Sequence, residues 1–373
     1  MPQTSAFVRS LKASVFASLG EKMKGLASPP ICLHLGDTYA LPIESACWTG
    51  MDLSSPALYR YSHPHGLPAL LEAVRDKLTQ KNGFSGVQVD WLQVTCGATQ
   101  ALHCALQTLL QPGQGVMILA PYWPLFGGMS RLQGLDVHEV ECTPRLSQGQ
   151  SLSALLQQAY RPGMAALYFA NPNNPDGYVY SASELHEIAA FAQERDLWVL
   201  SDECYEDYVY AGGEHLSIAT LPDMDHRTIS VYSFSKSFAM AGHRLGYAVA
   251  VPEVMSLLRR VANHTVYNVS ATIQQAGVKM LAGAQRESFC QTWLPRYQEA
   301  RDKLVDALGC PSPSGGAYCF PDFGSPEAAW DFLERALSSG VVLAPGAAFG
   351  DAYASCLRIC FTCVEPKVLD QAC

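Results

Sequence analysis

The sequence contains no uninterrupted apolar run of the roughly 18 to 20 residues that a bilayer-spanning helix requires, so an integral membrane protein is not expected. It has no excess of positive charge. Its 25 Lys and Arg stand against 34 Asp and Glu, a formal charge of −9, which leaves no electrostatic footprint for a nucleic acid. Internal repeats and low-complexity linkers are also missing. The chain does not open on a secretory signal, so its 13 scattered cysteines are expected to be reduced thiols in a cytoplasmic setting rather than a disulfide framework. Metal-ligand spacing is scarce. Cys356, Cys360 and Cys363 fall in a segment that reads as a buried strand, and His63 and His65 flank Pro64 without a Cys or acidic partner at matching spacing, so no metal is expected. What is present is an ordinary globular composition, 49% hydrophobic over 373 residues, long enough for two or three compact units.

The segment Ser5 to Leu26 carries Phe7, Leu11, Val15, Leu19 and Met23 at a spacing of four, with a basic opposite face, and predicts an amphipathic helix. We read it as an arm packing on its own or a partner subunit, with a targeting presequence or membrane-surface helix as alternatives. From about residue 55 the pattern alternates between short apolar runs and amphipathic stretches, as a βαβ sheet requires. The runs Leu92–Thr95, Val116–Leu119, Ala165–Phe169, Leu197–Leu200, Ile229–Tyr232 and Tyr247–Ala250 are candidate strands. Helices are expected over Thr99–Leu110, Ser183–Arg195, Pro252–Val261 and Gln285–Leu308. The fold class is therefore α/β with a mostly parallel central sheet flanked by helices. A smaller α+β unit is expected from strands near Ala317–Phe320, Val341–Leu343 and Cys356–Phe361.

Chemistry concentrates where apolar runs end. Lys236 follows the run Ile229–Tyr232 within Ser233-Phe-Ser-Lys-Ser-Phe-Ala-Met-Ala-Gly-His-Arg244. A lone loop lysine is ordinarily solvated, but one whose pKa is depressed by a neighbouring cation can condense with a carbonyl. Asp202 ends another buried-looking run, at the strand edge where open α/β sheets bind ligands. An acid there can pair with a protonated pyridine nitrogen. Asn171-Pro-Asn-Asn-Pro-Asp-Gly177 reads as a rigid turn, and Gly97-Ala98-Thr99 joins a strand to a helix N-terminus that can hold an anion. Arg358 lies inside the apolar stretch Leu357–Phe361 and needs an anion, either a ligand or an internal carboxylate. Trp123, in Ala120-Pro-Tyr-Trp-Pro124, reads equally as a core aromatic or a stacking platform.

In order and type, these motifs resemble the class I and II aminotransferases, the fold type I enzymes that use pyridoxal 5'-phosphate. The resemblance runs from Leu33-His-Leu-Gly36 to Leu357-Arg-Ile359, and its most specific part is Ser-x-Ser-Lys followed by Arg at +8 and then Gly246. It implies that Lys236 forms the Schiff base with the cofactor and shuttles the substrate α-proton. It implies that Asp202 holds the pyridinium proton, and that Tyr205 and Asn174 hydrogen-bond the ring's phenolic oxygen. Gly97, Ala98, Thr99, Ser233, Ser235 and Arg244 would grip the phosphate, and Trp123 would stack on the ring. Tyr61 would reach the phosphate of a neighbouring subunit, which makes a homodimer with active sites at its interface. Arg358 would clamp the substrate α-carboxylate, with Asn174 and the backbone around Gly36 closing over it. The family also implies an N-terminal arm (1–30), a large cofactor-binding domain (51–284) and a small domain built from both chain ends (31–50 and 285–373).

The implied activity moves an amino group between an L-amino acid and a 2-oxo acid by a ping-pong cycle through pyridoxamine phosphate. The alternatives on the same scaffold are β- or γ-elimination, racemisation, or a non-catalytic relative. The chain departs from the usual family turn in reading Asn174-Pro-Asp-Gly177, which adds the carboxylate of Asp176. Tyr39, Tyr122 and Phe349 are expected to line an apolar side-chain pocket, favouring aromatic or aliphatic substrates over acidic ones.

Overall fold

The computed structural model describes residues 2–5, 8–9, 11, 20, 23–24, 28–210 and 212–373. The expected N-terminal helix falls largely outside the described residues. The strands in chain order are β1 (Ile31–Cys32), β2 (Leu92–Thr95), β3 (Gly115–Ala120), β4 (Asp136–Glu141), β5 (Met164–Ala170), β6 (Trp198–Asp202), β7 (Thr228–Ser233) and β8 (Gly246–Val249). They are followed by β9 (Tyr318–Cys319), β10 (Val341–Val342), β11 (Ala344–Pro345) and β12 (Leu357–Cys360).

Seven of them form one sheet in the order β2-β8-β7-β6-β5-β3-β4. Only β8 runs antiparallel to its neighbours; the other pairs are parallel. A sheet covered on both faces calls for continuous apolar strands, and β3 and β7 are buried along their whole length. All six expected runs fall on these strands, with Leu197 and Ala250 one residue outside β6 and β8. The exception to the reading is β4, Asp-Val-His-Glu-Val-Glu, which sequence inspection passes over. As the edge strand it buries only Val140, so it carries polar residues where an interior strand would carry apolar ones.

One sheet face packs on the helices Gly97–Leu109 and Pro252–Thr265, the other on Leu152–Ala159 and Ala182–Glu194. The cap of the last of these is Ser181, whose hydroxyl accepts from the Glu184 N–H while the Glu184 carboxylate accepts from the Ser181 N–H, two residues ahead of the expected start. The 24-residue helix Gln285–Leu308 coincides with its expected span and leads into β9. Beyond it β11, β12 and β9 form a three-stranded antiparallel sheet. Strand β1 pairs in parallel with β10, so residues near the start and the end of the chain share a sheet. A two-residue strand such as β1 leaves no periodic signal in the sequence. No helix among the described residues is long and apolar enough to cross a membrane.

Candidate active site

The parallel strands β3, β5, β6 and β7 end along one edge of the sheet, and the register fixes which ends meet. Thr95 pairs with Gly246, and Gly246 with Ser233, so the loop after β2, the loop after β7 and the turn into β8 converge. Gly97 opens its helix at φ +73°, and a Cβ there would stand 2.7 Å from Arg244 Nη2. The guanidinium therefore lies against a backbone that only glycine leaves bare. A Cβ on Gly246 would meet the Tyr232 carbonyl at 2.7 Å and the Ala98 nitrogen at 2.8 Å, so the three loops are packed to contact. Arg244 is itself in the left-handed region at φ +51° and donates from Nη1 to Ser235 Oγ at 3.4 Å and the Ala241 carbonyl at 3.0 Å. First-turn N–H groups at Ala98 and Thr99 have no intrahelical acceptor. With Thr99, Ser233, Ser235 and Arg244 around them, they make a corner of donors and one fixed cation.

Lys236 stands beside this corner. Its Nζ donates to the Gly36 carbonyl, and its own carbonyl accepts from Tyr208 Oη at 2.8 Å. Burial lowers the pKa of its ammonium; the groups of Cys360, Asp37 and Cys204 oppose that shift and Arg358 adds to it. The amine is thus biased towards the neutral, nucleophilic form. Gly36 can lie this close to the site because a Cβ there would collide with Tyr318 Oη.

Asp202 is the last residue of β6 and is only 7% exposed. One carboxylate oxygen accepts from the Cys204 N–H at 3.2 Å and the other from Tyr168 Oη at 3.1 Å. Burial raises its pKa, countered by these hydrogen bonds and reinforced by neighbouring Glu203. A carboxylate held this way is short of a cation. Tyr205 Oη shares a 2.5 Å hydrogen bond with Tyr318 Oη across the cavity wall.

Arg358, 6% exposed, donates from Nη1 to Asn174 Oδ1 at 3.1 Å and from Nη2 to the His34 carbonyl at 2.7 Å. Its guanidinium lies over the Tyr318 ring at 4.2 Å and the Phe349 ring at 4.6 Å, and its buried Nε has no hydrogen-bond partner among the described residues. Among the described residues no carboxylate stands within ion-pair distance of it, so the internal salt bridge left open by the sequence does not form.

These groups surround a cavity of about 300 Å3 lined by Gly36, Trp123, Asn174, Lys236, Arg358 and the donor corner. Asp202 supplies its sole carboxylate among the described residues. Of the residues expected at the site, Gly97 lies directly behind Arg244 rather than on the wall. Tyr61 is away from this cavity, 85% exposed, with its ring edge-on to Tyr267 at 5.4 Å. The expected side-chain pocket is not formed by the three aromatics assigned to it. Tyr39 packs edge-on to Trp293 and Tyr297, Tyr122 bonds Glu139 at 2.8 Å, and Phe349 is fully buried beneath Arg358. Asp176 also points away from the cavity, held by Thr143, Asn173 and the Tyr178 N–H. Sequence reasoning missed Cys204, Tyr318, Ala170 and Ala241 on the wall. Cys204 had a signal, since it lies between Asp202 and Tyr205; Tyr318 had none that shows which face of its strand it occupies.

The donor set fits pyridoxal phosphate. A corner of N–H groups, hydroxyls and an arginine suits a phosphate dianion. On the same cavity wall the buried Asp202 lacks a cation that a pyridinium would supply, and Lys236 presents an amine for the aldehyde.

Comparison with known proteins agrees. Residues 31–373 match the family model described as aminotransferase class I and II. The chain is 33% identical over 310 residues to an aspartate aminotransferase of Musicola paradisiaca, covering 81% of this chain and 77% of that one. It is also 33% identical to aromatic-amino-acid aminotransferase 2 of Thermococcus litoralis, covering 83% of this chain and 82% of the relative. Among solved structures, the Thermus thermophilus aspartate aminotransferase with maleate superposes with a TM-score of 0.87 at 29% identity, over 100% of this chain and 98% of that one. The aromatic aminotransferase of Pyrococcus horikoshii gives 0.87 at 28% identity, over 95% and 96%. These relatives all carry aminotransferase names, which favours amino transfer over elimination or racemisation. The chain belongs to the class I and II aminotransferases and is a pyridoxal-phosphate-dependent aminotransferase of the fold type I class.

Proposed function

We propose that Lys236, Asp202 and Arg358 divide the work of amino transfer in this cavity. The observation that carries the reading is Arg358: a buried guanidinium on the same cavity as Lys236 that has, among the described residues, a free Nε and no carboxylate of its own. Two of its five N–H groups are taken up by Asn174 and His34, and the remainder suit a bidentate grip on the substrate α-carboxylate. That grip directs the α-carbon towards Lys236 Nζ. When bound, pyridoxal phosphate supplies the electron sink that makes the α-proton acidic. The Lys236 amine, whose ammonium pKa burial lowers, would take that proton and return it. Asp202 would hold a proton on the ring nitrogen, and Tyr205 and Asn174 would hydrogen-bond the ring's phenolic oxygen. Trp123, on the cavity wall, would offer its ring as a stacking surface. Gly97 lets Arg244 close on the phosphate beside Ala98, Thr99, Ser233 and Ser235, and Gly36 closes the substrate side.

The substrate in this reading has an uncharged side chain. Lys236, Arg244 and Arg358 are the cations lining the cavity among the described residues, and the reading already assigns them to the aldehyde, the phosphate and the α-carboxylate, which leaves none for a side-chain carboxylate. The relatives' names cover both aspartate and aromatic amino acids. The division into a large domain (51–284) and a small one (31–50 with 285–373) belongs to the same proposal. So does a cytoplasmic homodimer, supported by the exposed aromatics Trp48, Tyr59, Tyr61 and Tyr267, with Tyr61 completing the partner's phosphate site.

The test pairs substrate choice with Lys236→Ala. Phenylalanine and leucine should donate to a 2-oxo acid faster than aspartate, and the variant should bind the cofactor and lose turnover. Faster donation by aspartate would overturn the substrate class, and near wild-type rates in Lys236→Ala would overturn the site.

A further inference from the structure

Tyr168 lies on β5, two residues before the cavity-lining Ala170 and on the same face of the sheet. Its neighbour in the sheet is β6, where Ala170 pairs with Asp202, so the Tyr168 ring sits beneath the cavity floor. From there its hydroxyl reaches Asp202 Oδ2 at 3.1 Å. The ring is fully buried and stacked on Phe126, with centroids 3.6 Å apart and planes within 10°. Among the described residues the phenol hydrogen-bonds one side chain, that of Asp202, and the stacking leaves it little freedom to move away. Neither the strand's apolar run nor the chemistry assigned to the cavity accounts for that hydroxyl, since Phe would fill the same space.

We propose that Tyr168 is a positioning residue that acts through Asp202, keeping the proton shared by Asp202 and the cofactor's ring nitrogen on the nitrogen. The proposal rests on the reading that this cavity holds pyridoxal phosphate. A proton between a buried carboxylate and a pyridine can sit on either partner, and only the protonated ring draws electrons strongly. Burial alone favours the uncharged acid, which would leave the ring nitrogen bare. A donor aimed at the carboxylate favours its ionised form and sends the proton to the ring. Among the described residues, the groups that act on Asp202 through hydrogen bonds or charge are Tyr168 from β5, the Cys204 N–H and thiol from the turn after β6, and Glu203 beside it. Glu203 is engaged elsewhere, by Ser217 at 2.7 Å, Tyr232 at 2.5 Å and His215 at 3.4 Å. Tyr168 is the side-chain hydroxyl in this set. Burial holds its own phenol far above neutrality, so it remains a donor throughout the working pH range.

The experiment uses Tyr168→Phe, which keeps the ring and removes the oxygen. Holoenzyme is loaded with pyridoxal phosphate carrying nitrogen-15 in the ring, and the nitrogen resonance reports whether the proton is there. The wild-type nitrogen should be protonated across neutral pH. In the variant its signal should move towards the unprotonated position, and kcat should fall about tenfold, at the low end for a hydrogen bond to a charged group. A second measurement needs no cofactor: the Asp202 carboxyl, followed by carbon-13 NMR in the apoprotein, should titrate at higher pH in Tyr168→Phe than in wild type. A nitrogen that stays protonated, or an Asp202 midpoint that does not move, overturns the proposal even if activity falls, because a packing defect would lower activity alone. Failure of wild type to bind the labelled cofactor would instead overturn the cofactor reading, and the Asp202 titration would still decide the effect of the Tyr168 hydroxyl on Asp202.

Discussion

Replacing Arg358 with lysine keeps a buried cation and removes the planar fork. Lysine retains one charge-assisted hydrogen bond to a carboxylate where arginine makes two, so the variant loses one such bond, about 1.5 to 3 kcal/mol. That is roughly a 10- to 150-fold loss in kcat/KM. The loss should fall on the substrate and not on the fold. An ammonium can still donate to Asn174 Oδ1 and the His34 carbonyl and still face the Tyr318 and Phe349 rings, whereas alanine would leave those buried acceptors unmet. The assay compares an α-amino acid with the primary amine of the same side chain that lacks the carboxylate. The clamp predicts that Arg358→Lys slows the amino acid by that factor and leaves the much slower amine unchanged. Equal slowing of both would show that Arg358 supports the cavity rather than the carboxylate, and no slowing of either would remove it from the site.

Gly97→Ala should weaken pyridoxal phosphate binding, because its φ of +73° and a Cβ 2.7 Å from Arg244 Nη2 both oppose it. Gly113→Ala has φ +88° with nothing within 4 Å of the new Cβ, so it carries only the backbone penalty of about 1 to 2 kcal/mol. A titration of cofactor absorbance should separate the two, with affinity lost in the first and kept in the second. Asp202→Asn should raise the melting temperature of the apoprotein at neutral pH. With its pKa raised in the folded state, Asp202 binds its proton more tightly there than in the unfolded chain, so its contribution to stability falls as pH rises through the window above the ordinary carboxylate value. Below that window the variant and wild type should melt together, and a variant that melts lower at neutral pH would contradict the assignment. The same substitution should weaken the holoenzyme, since the pyridinium partner is lost.

The parts of the site that were legible in the sequence are those fixed by their own stretch of chain. Lys236, Asp202 and the Ala98-Thr99 turn each follow an apolar run, and in a parallel sheet the ends of such runs are carried to one edge whatever the rest of the molecule does. Arg358 was legible for a different reason, as a charge that an apolar strand cannot hold without a partner. Side-chain direction was not legible. Tyr318 and Phe349 both lie in buried segments of the small sheet region, yet Tyr318 faces the cavity and Phe349 lies beneath the guanidinium. Tyr39 follows Gly36 by three residues and turns instead into the Trp293 and Tyr297 cluster on the long helix. The edge strand β4 and the two-residue β1 escaped because pairing, not hydrophobic periodicity, makes them strands.

The central claim is amino transfer through a lysine-bound cofactor, and one single-turnover experiment tests it. Purified protein loaded with pyridoxal phosphate is mixed with one amino acid and no acceptor, while the visible absorbance and the products are followed together. The account predicts loss of the yellow band with one equivalent of 2-oxo acid per site and no further turnover until a second 2-oxo acid is added. Continued release of ammonia with the band unchanged, or a protein that takes up no pyridoxal phosphate, would contradict it.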